Sequence, residues 1–103
     1  MEVKWRGPPG ESLLCEIELS RPLNLVEQAA VMHMILAWYD EGAAGCFGGG
    51  AFHFIADVVY ALDDGSPSVE WWMDSGRADV VPAIDDLVVR LSSLPFVDRL
   101  VVG

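Results

Sequence analysis

Apolar and polar residues alternate from Ser12 to Ser20, where the chain reads SLLCEIELS. A period of two over this length predicts a β-strand with one buried face. Glu16 and Glu18 lie on its outward face, and Pro22 ends the strand. The predicted inward residues are Leu13, Cys15, Ile17 and Leu19.

A helix is predicted directly after this strand. Asn24, followed three residues later by Glu27, matches a capping box. The helix should run from about Leu25 to Asp40 and end at Gly42. Apolar residues cover nearly its whole circumference, which is typical of a helix buried on more than one side, and His33 among them is predicted to be a hydrogen-bonded core histidine. We expect either deep burial or contact with a partner or second subunit through Val31, Met34, Ile35 and Trp38.

Two further strands are predicted from Phe52 to Leu62 and from Ser68 to Asp74. The segment 63–67 between them is rich in Asp, Gly and Pro, which favour tight turns, so the two strands form a hairpin. In the first strand, the even-numbered residues from 52 to 62 face inward, and in the second Val69, Trp71 and Met73 do so. The predicted outward residues are His53, Ile55, Asp57, Val59, Ala61, Glu70, Trp72 and Asp74.

An amphipathic helix and a last strand complete the pattern. Asp79 and Pro82 mark a helix start, and the helix extends from Val80 to about Ser93. The last strand is predicted from Phe96 to Val102. The buried face of the helix is predicted to comprise Val80, Ile84, Leu87, Val88 and Leu91.

The order strand, helix, strand, strand, helix, strand predicts an α+β fold of the ferredoxin-like split βαβ type. Such a fold has a four-stranded antiparallel sheet with both helices on one face. At 103 residues the chain has the length of a single domain, with residues 1–11 as an N-terminal extension that could add a short strand.

The segment from Ala83 to Val102 resembles the second half of regulatory ACT-family domains. The resemblance rests on the helix of Ile84, Leu87, Val88 and Leu91, the LPFV segment at 94–97 and the apolar strand, about a fifth of the chain. It implies the fold only. Where such domains carry a Gly-rich effector turn after the first strand, this chain has Ser20 to Leu23, so the resemblance does not extend to effector binding.

The charge of the chain is strongly one-sided, with a formal net charge of −10. No Lys or Arg occurs between Arg21 and Arg77, although this interval contains many acidic residues. Such a charge disfavours direct binding to nucleic acid or to anionic membranes, because both require a basic surface. A basic protein is the expected partner. No signal-peptide pattern is visible, so we expect a cytoplasmic protein without a membrane segment.

One face of the predicted sheet is open, because both helices cover the other. If the first strand pairs with the third, acidic residues gather on this face around an outward tryptophan. Like charges on adjacent strands are destabilising, which favours a docking surface, although outward acids are also ordinary solvated residues. The predicted partner-binding residues are Glu16, Glu18, His53, Asp57, Glu70, Trp72 and Asp74.

No catalytic or metal-binding pattern accompanies this face. Cys15 and Cys46 are too few and too far apart for a zinc site or a disulfide framework. Cys15 is expected to be buried and Cys46 exposed in the glycine-rich segment 42–50, with a disulfide between them left open. That segment lacks the Lys of a phosphate-binding loop. We therefore predict no enzyme, no cofactor and no metal.

Two functional hypotheses remain from the sequence. The first is a small acidic inhibitor or immunity-type protein that neutralises a basic enzyme, such as a nuclease or a nucleic-acid-directed toxin. The alternative is a homodimeric ferredoxin-like regulatory or small-molecule-binding domain, with segment 42–50 shaping the pocket. An enzyme that uses His33, His53 or Cys46 is a weaker third hypothesis.

Overall fold

The computed structural model describes residues 1–7, 12–47, 54–55, 57–63, 66–74 and 80–103. The predicted order of helices and strands is observed, with an additional N-terminal strand and with the second predicted strand in two pieces. In chain order the elements are β1 (Glu2–Trp5), β2 (Ser12–Leu19), α1 (Leu25–Ala43), β3 (Phe54–Ile55), β4 (Val59–Asp63), β5 (Ser66–Asp74), α2 (Val81–Leu91) and β6 (Val97–Val102).

The strands form one mixed sheet in the order β1, β6, β2, β5, with β3 and β4 both on the far edge of β5. The predicted pairing of the first strand with the third is observed between β2 and β5, which are antiparallel. The four-stranded, purely antiparallel sheet was a wrong prediction. The N-terminal extension adds β1, which pairs parallel with β6 and thereby covers an edge that would otherwise leave backbone groups unpaired.

The strand pieces β3 and β4 are offset by one residue relative to β5. Ile55 pairs with Met73 and Val59 pairs with Glu70, so one extra residue lies on the β3–β4 side, as in a β-bulge. Directly paired residues share a face of the sheet, and Ile55 packs against the core beside Met73. The prediction that Ile55 faces outward was therefore wrong, because strict alternation does not allow for the extra residue.

Helix α1 begins at the predicted capping box. The Asn24 side-chain oxygen accepts a hydrogen bond from the Glu27 amide at 2.8 Å, and the Glu27 carboxylate accepts one from the Asn24 amide at 3.1 Å. The helix continues to Ala43, beyond the predicted end at Gly42. Its start thus follows a local signal in the sequence, whereas its C-cap is Ala44 and not the predicted Gly42.

Helix α1 has one buried stripe, not a buried circumference. Val31, Ile35 and Trp38 are fully buried in the chain's own core, so they cannot form the predicted partner contact. His33 is exposed, which corrects its prediction as a core histidine. The physical reason is that the sheet and α2 cover one side of α1 and leave other apolar residues, such as Val26 and Leu36, exposed.

Helix α2 is amphipathic as predicted and packs beside α1. The Trp38 indole nitrogen donates a hydrogen bond to the Ala83 carbonyl at 2.9 Å, which joins the two helices. Val80 is the N-cap and makes no side-chain cap hydrogen bond, while the predicted cap Asp79 lies outside the described residues. The buried residues of α2 are Ala83, Ile84, Leu87 and Leu91.

The core lies between the two helices and the inward face of the sheet. Its strand residues include the whole inward set predicted for β2 and β5. Cys15 belongs to this core, and burial raises the pKa of its thiol to about 12. Cys46 is exposed, and both cysteines are free thiols. With one face of the sheet covered in this way, the other face is available for contacts.

Candidate protein-binding face

The strand register arranges the outward residues of the sheet in rows across the open face. Glu16 of β2 pairs with Glu70 of β5, and Glu70 pairs on its other side with Val59 of β4. In the neighbouring row Leu14 pairs with Trp72. The predicted closeness of acidic residues to the outward tryptophan is thus observed for Glu16 and Glu70.

On the β1–β6 side of this face, arginines neutralise the acidic residues. Arg99 makes a bidentate ion pair with Glu18, with N···O distances of 2.8 and 2.7 Å. The hydrogen bond from Arg99 lowers the pKa of Glu18, although partial desolvation opposes the shift. Arg6 makes a longer contact of 3.4 Å with Glu16. The two predicted partner-binding acids of β2 therefore already have basic neighbours.

The β4–β5 side carries an acidic and apolar pocket. Trp72 is 53% exposed and Val59 is 49% exposed, both large values for apolar side chains. Asp57 and Glu70 have no ion pair within the part of the chain that the structure describes. The pocket is shallow, has a volume of about 140 Å³ and is lined by Leu14, Asp57, Val59, Glu70, Trp71 and Trp72.

The predicted site residues that the structure describes fall into three groups. Asp57, Glu70 and Trp72 line one pocket, whereas Glu16 and Glu18 lie on β2 with their arginines. Asp74 lies further along β5, opposite Ser12 of β2. Burial, together with the charges of Asp40 and Asp74, raises the pKa of Tyr39. His53 lies outside the described residues.

Leu14 was missed as a pocket residue. It is apolar at an outward position of β2, where the alternating pattern calls for a polar residue, and this break in the pattern was visible in the sequence. The structure places it directly beside Trp72. An apolar residue at such a position extends the apolar part of the pocket.

The other described arginines are held away from the pocket. Arg21 makes a bidentate ion pair with Glu27, at 2.9 and 2.6 Å, and Arg90 pairs with Glu41 and Asp86. Across the described ranges, no cluster of three or more His, Cys, Asp or Glu side chains is placed to hold a metal ion. The chemistry that the pocket offers is therefore an indole, two carboxylates and apolar walls.

Comparison with known proteins adds no relative: no family model matches this chain, and no curated protein matches its sequence significantly. Among the described parts of the chain, neither helix is both long and apolar enough to cross a bilayer. The functional argument therefore depends on the geometry and charge of the open face.

Proposed function

We propose that this chain is a small acidic protein-binding module, with a ferredoxin-like core extended by β1, that captures a basic protein on its open sheet face. The observation that carries the proposal is the half-exposed Trp72 in a pocket with Glu70 and Asp57. Tryptophan is among the most frequent anchors of protein interfaces, and an acidic surround accelerates encounter with a basic partner. No catalytic role is proposed for the face.

The open face places two acidic residues where they destabilise the sheet, which supports a binding role over simple solvation. Glu16 and Glu70 are directly opposed on neighbouring strands, which destabilises a sheet by roughly 0.2–1 kcal/mol. On the β4–β5 side of the face, Asp57 and Glu70 have no ion pair among the described residues and lie beside the exposed Trp72 and Val59. A surface that served only for solubility would mix charges of both signs there. A binding surface explains both features together.

We further propose an inhibitor or immunity-type role, on the argument of the charge of the whole chain. A net charge of −10 complements an enzyme whose active site is positive, such as a nuclease or a nucleic-acid-directed toxin. Covering that site with the open face would block access of the nucleic acid. The partner that we propose is therefore a basic enzyme of this class.

The alternative function, a homodimeric regulatory domain, is favoured by one observation. The outer side of α1 leaves Val26 79% exposed and Leu36 47% exposed. A second copy could cover these residues, although two chains of charge −10 repel each other. Sedimentation at high protein concentration separates the two: a tight dimer supports the alternative, and a monomer supports the basic partner.

The proposal is tested with a double variant, Trp72→Ala with Glu70→Gln. The matched control is Val89→Ala with Asp85→Asn, which removes an exposed apolar residue and an exposed acid from α2, on the opposite side of the molecule. Partners are captured at low salt, identified by mass spectrometry, purified, and measured by calorimetry at two ionic strengths.

The wild type and the control should bind a basic protein with an affinity that falls as salt rises. The double variant should bind at least about 30-fold more weakly, the effect of losing an interface residue worth about 2 kcal/mol. If the folded double variant binds as tightly as the wild type, or if binding is indifferent to salt, the open face is the wrong surface.

A further inference from the structure

The pocket around Trp72 combines three surfaces that one kind of side chain satisfies together. Half of the Trp72 side chain is accessible, Asp57 and Glu70 supply carboxylates, and Leu14 and Val59 supply apolar walls. The indole face and the carboxylates both attract a cation, and the apolar walls can pack against a methylene stem. Charge complementarity therefore identifies a basic side chain as the occupant.

We propose that this pocket anchors one arginine side chain of the basic partner. The guanidinium lies flat against the indole of Trp72 and donates hydrogen bonds to the carboxylates of Glu70 and Asp57. Its methylene groups pack against Leu14 and Val59. The inference rests on the proposed function and names the residue by which the partner is recognised.

Arginine fits this pocket better than lysine does. Its guanidinium is planar, stacks on aromatic faces, carries donors that match carboxylates and is weakly hydrated. A lysine ammonium is a strongly hydrated point charge, which gains less in a shallow, open pocket. The volume of about 140 Å³ is on the order of ten times the roughly 10–15 Å³ that holds one water molecule by the same measure, which leaves room for a guanidinium group.

The described arginines on the open face contact other groups and leave the pocket to a partner. The Arg6 guanidinium contacts the Leu14 carbonyl at 3.5 Å and the Glu16 carboxylate at 3.4 Å. Those contacts hold it on the β1 side of Leu14. Arg99 is held in the same way by Glu18, one row further away.

The test uses three blocked tripeptides, Gly-Arg-Gly, Gly-Lys-Gly and Gly-citrulline-Gly, and follows the indole N–H resonance of Trp72 by NMR. A Trp72→Phe variant assigns that resonance among the four tryptophans. The arginine peptide should shift it saturably. The lysine peptide should bind about two- to fivefold more weakly, the range of a cation–π contact at an exposed site. The neutral citrulline peptide should produce no saturable shift.

Charge-removing variants provide the second arm of the test. Glu70→Gln and Asp57→Asn should each weaken binding of the arginine peptide by about two- to fivefold, as expected for loss of one charged partner at an exposed site. The control Asp85→Asn, on α2, should leave it unchanged. Equal binding of the arginine and lysine peptides, a missing shift at Trp72 in the folded protein, or indifference to both variants would overturn the inference.

The two proposals fail in different ways. If a basic protein binds through Trp72 but the arginine peptide leaves the indole resonance unmoved, the arginine anchor is wrong and the proposed function stands. If the peptide binds selectively at Trp72 but no basic protein binds the chain, the proposed function is wrong and the pocket remains an arginine site.

Discussion

Glu70 lies between Glu16 on one neighbouring strand and Val59 on the other. The carboxylates of Glu16 and Glu70 repel, and only Glu16 has a described arginine beside it, at 3.4 Å. The charge of Glu70 therefore lowers the stability of the fold but favours binding of a basic partner. Removing the charge of Glu70 relieves the repulsion and at the same time removes an acid from the pocket.

We expect Glu70→Gln to raise the free energy of unfolding by about 0.2–1 kcal/mol while weakening partner binding. Urea unfolding at low salt measures the gain. It should nearly vanish in about 1 M NaCl, where the screening length is about 3 Å. A loss of stability would show instead that Glu70 supports the fold, and the binding interpretation would lose its main energetic argument.

Glu27 links the start of α1 to acid stability. Hydrogen bonds from Arg21, and then from the Asn24 amide, lower the pKa of its carboxyl to about 2, from an ordinary value of 4.5. A folded-state pKa below the unfolded value stabilises the fold above pH 4.5, and this contribution disappears as the pH falls towards 2.

Glu27→Gln should therefore be less stable than the wild type at pH 7, and the difference between them should shrink between pH 4.5 and 2. Unfolding by urea at pH 7 and near pH 2 measures this difference, because both pH values lie well away from the isoelectric point near pH 4.2. Asp85→Asn is the control. If the difference in unfolding free energy between the two proteins stays constant with pH, Glu27 stabilises the fold by a contact that does not depend on its charge.

At the scale of elements, the one-residue offset between β3 and β4 decides which residues reach the core. Ile55 packs inward beside Met73, whereas Val59, four residues later, is exposed beside Glu70. A strictly alternating strand would place both residues on the same face. The offset therefore separates two apolar residues that the sequence pattern treats as equivalent.

We expect Ile55→Ser to lower the free energy of unfolding by about 1–2 kcal/mol, because the removed side chain is partly buried. Val59→Ser should change it by less than about 0.5 kcal/mol, the usual limit for an exposed position. Paired urea titrations of the two variants measure the contrast. Equal losses would restore the alternating register, in which both residues lie on the same face, and a larger loss for Val59→Ser would contradict the observed pairing.

At the scale of the whole molecule, the acidic excess is uneven. The described arginines all lie beside carboxylates, so the ion pairs concentrate on the β1–β6 side of the sheet, at the start of α1 and between the helices. The excess negative charge that remains includes Asp57 and Glu70 of the pocket. This excess negative charge therefore repels itself in the free chain and attracts a basic partner.

Added salt should therefore stabilise the free protein against unfolding and weaken its complex with the partner. Added NaCl should raise the melting temperature of the free chain, by about 4–8 °C for each 1 kcal/mol of repulsion that it screens. The same salt should weaken the complex. Calorimetry of both samples measures the pair of effects. A melting temperature that falls with NaCl would mean that the ion pairs outweigh the repulsion.

The sequence by itself determined the elements whose signals are local. Alternation defined β2, the Asn24–Glu27 capping box defined the start of α1, and apolar spacing defined α2. These signals act within a few residues, so they do not depend on the rest of the fold. The order of the elements also predicted that β2 lies beside β5, which brings Glu16 near Glu70.

Only the tertiary structure decided where the charges and the apolar surfaces meet. Arg99 reaches Glu18 across 81 residues of sequence, which neutralises an acid that alternation alone assigns to the docking face. The extra residue between β3 and β4 turned Ile55 inward, and the single covered side of α1 left His33 in water. Each outcome depends on which distant segment packs alongside, because register and burial are properties of paired elements and not of one segment.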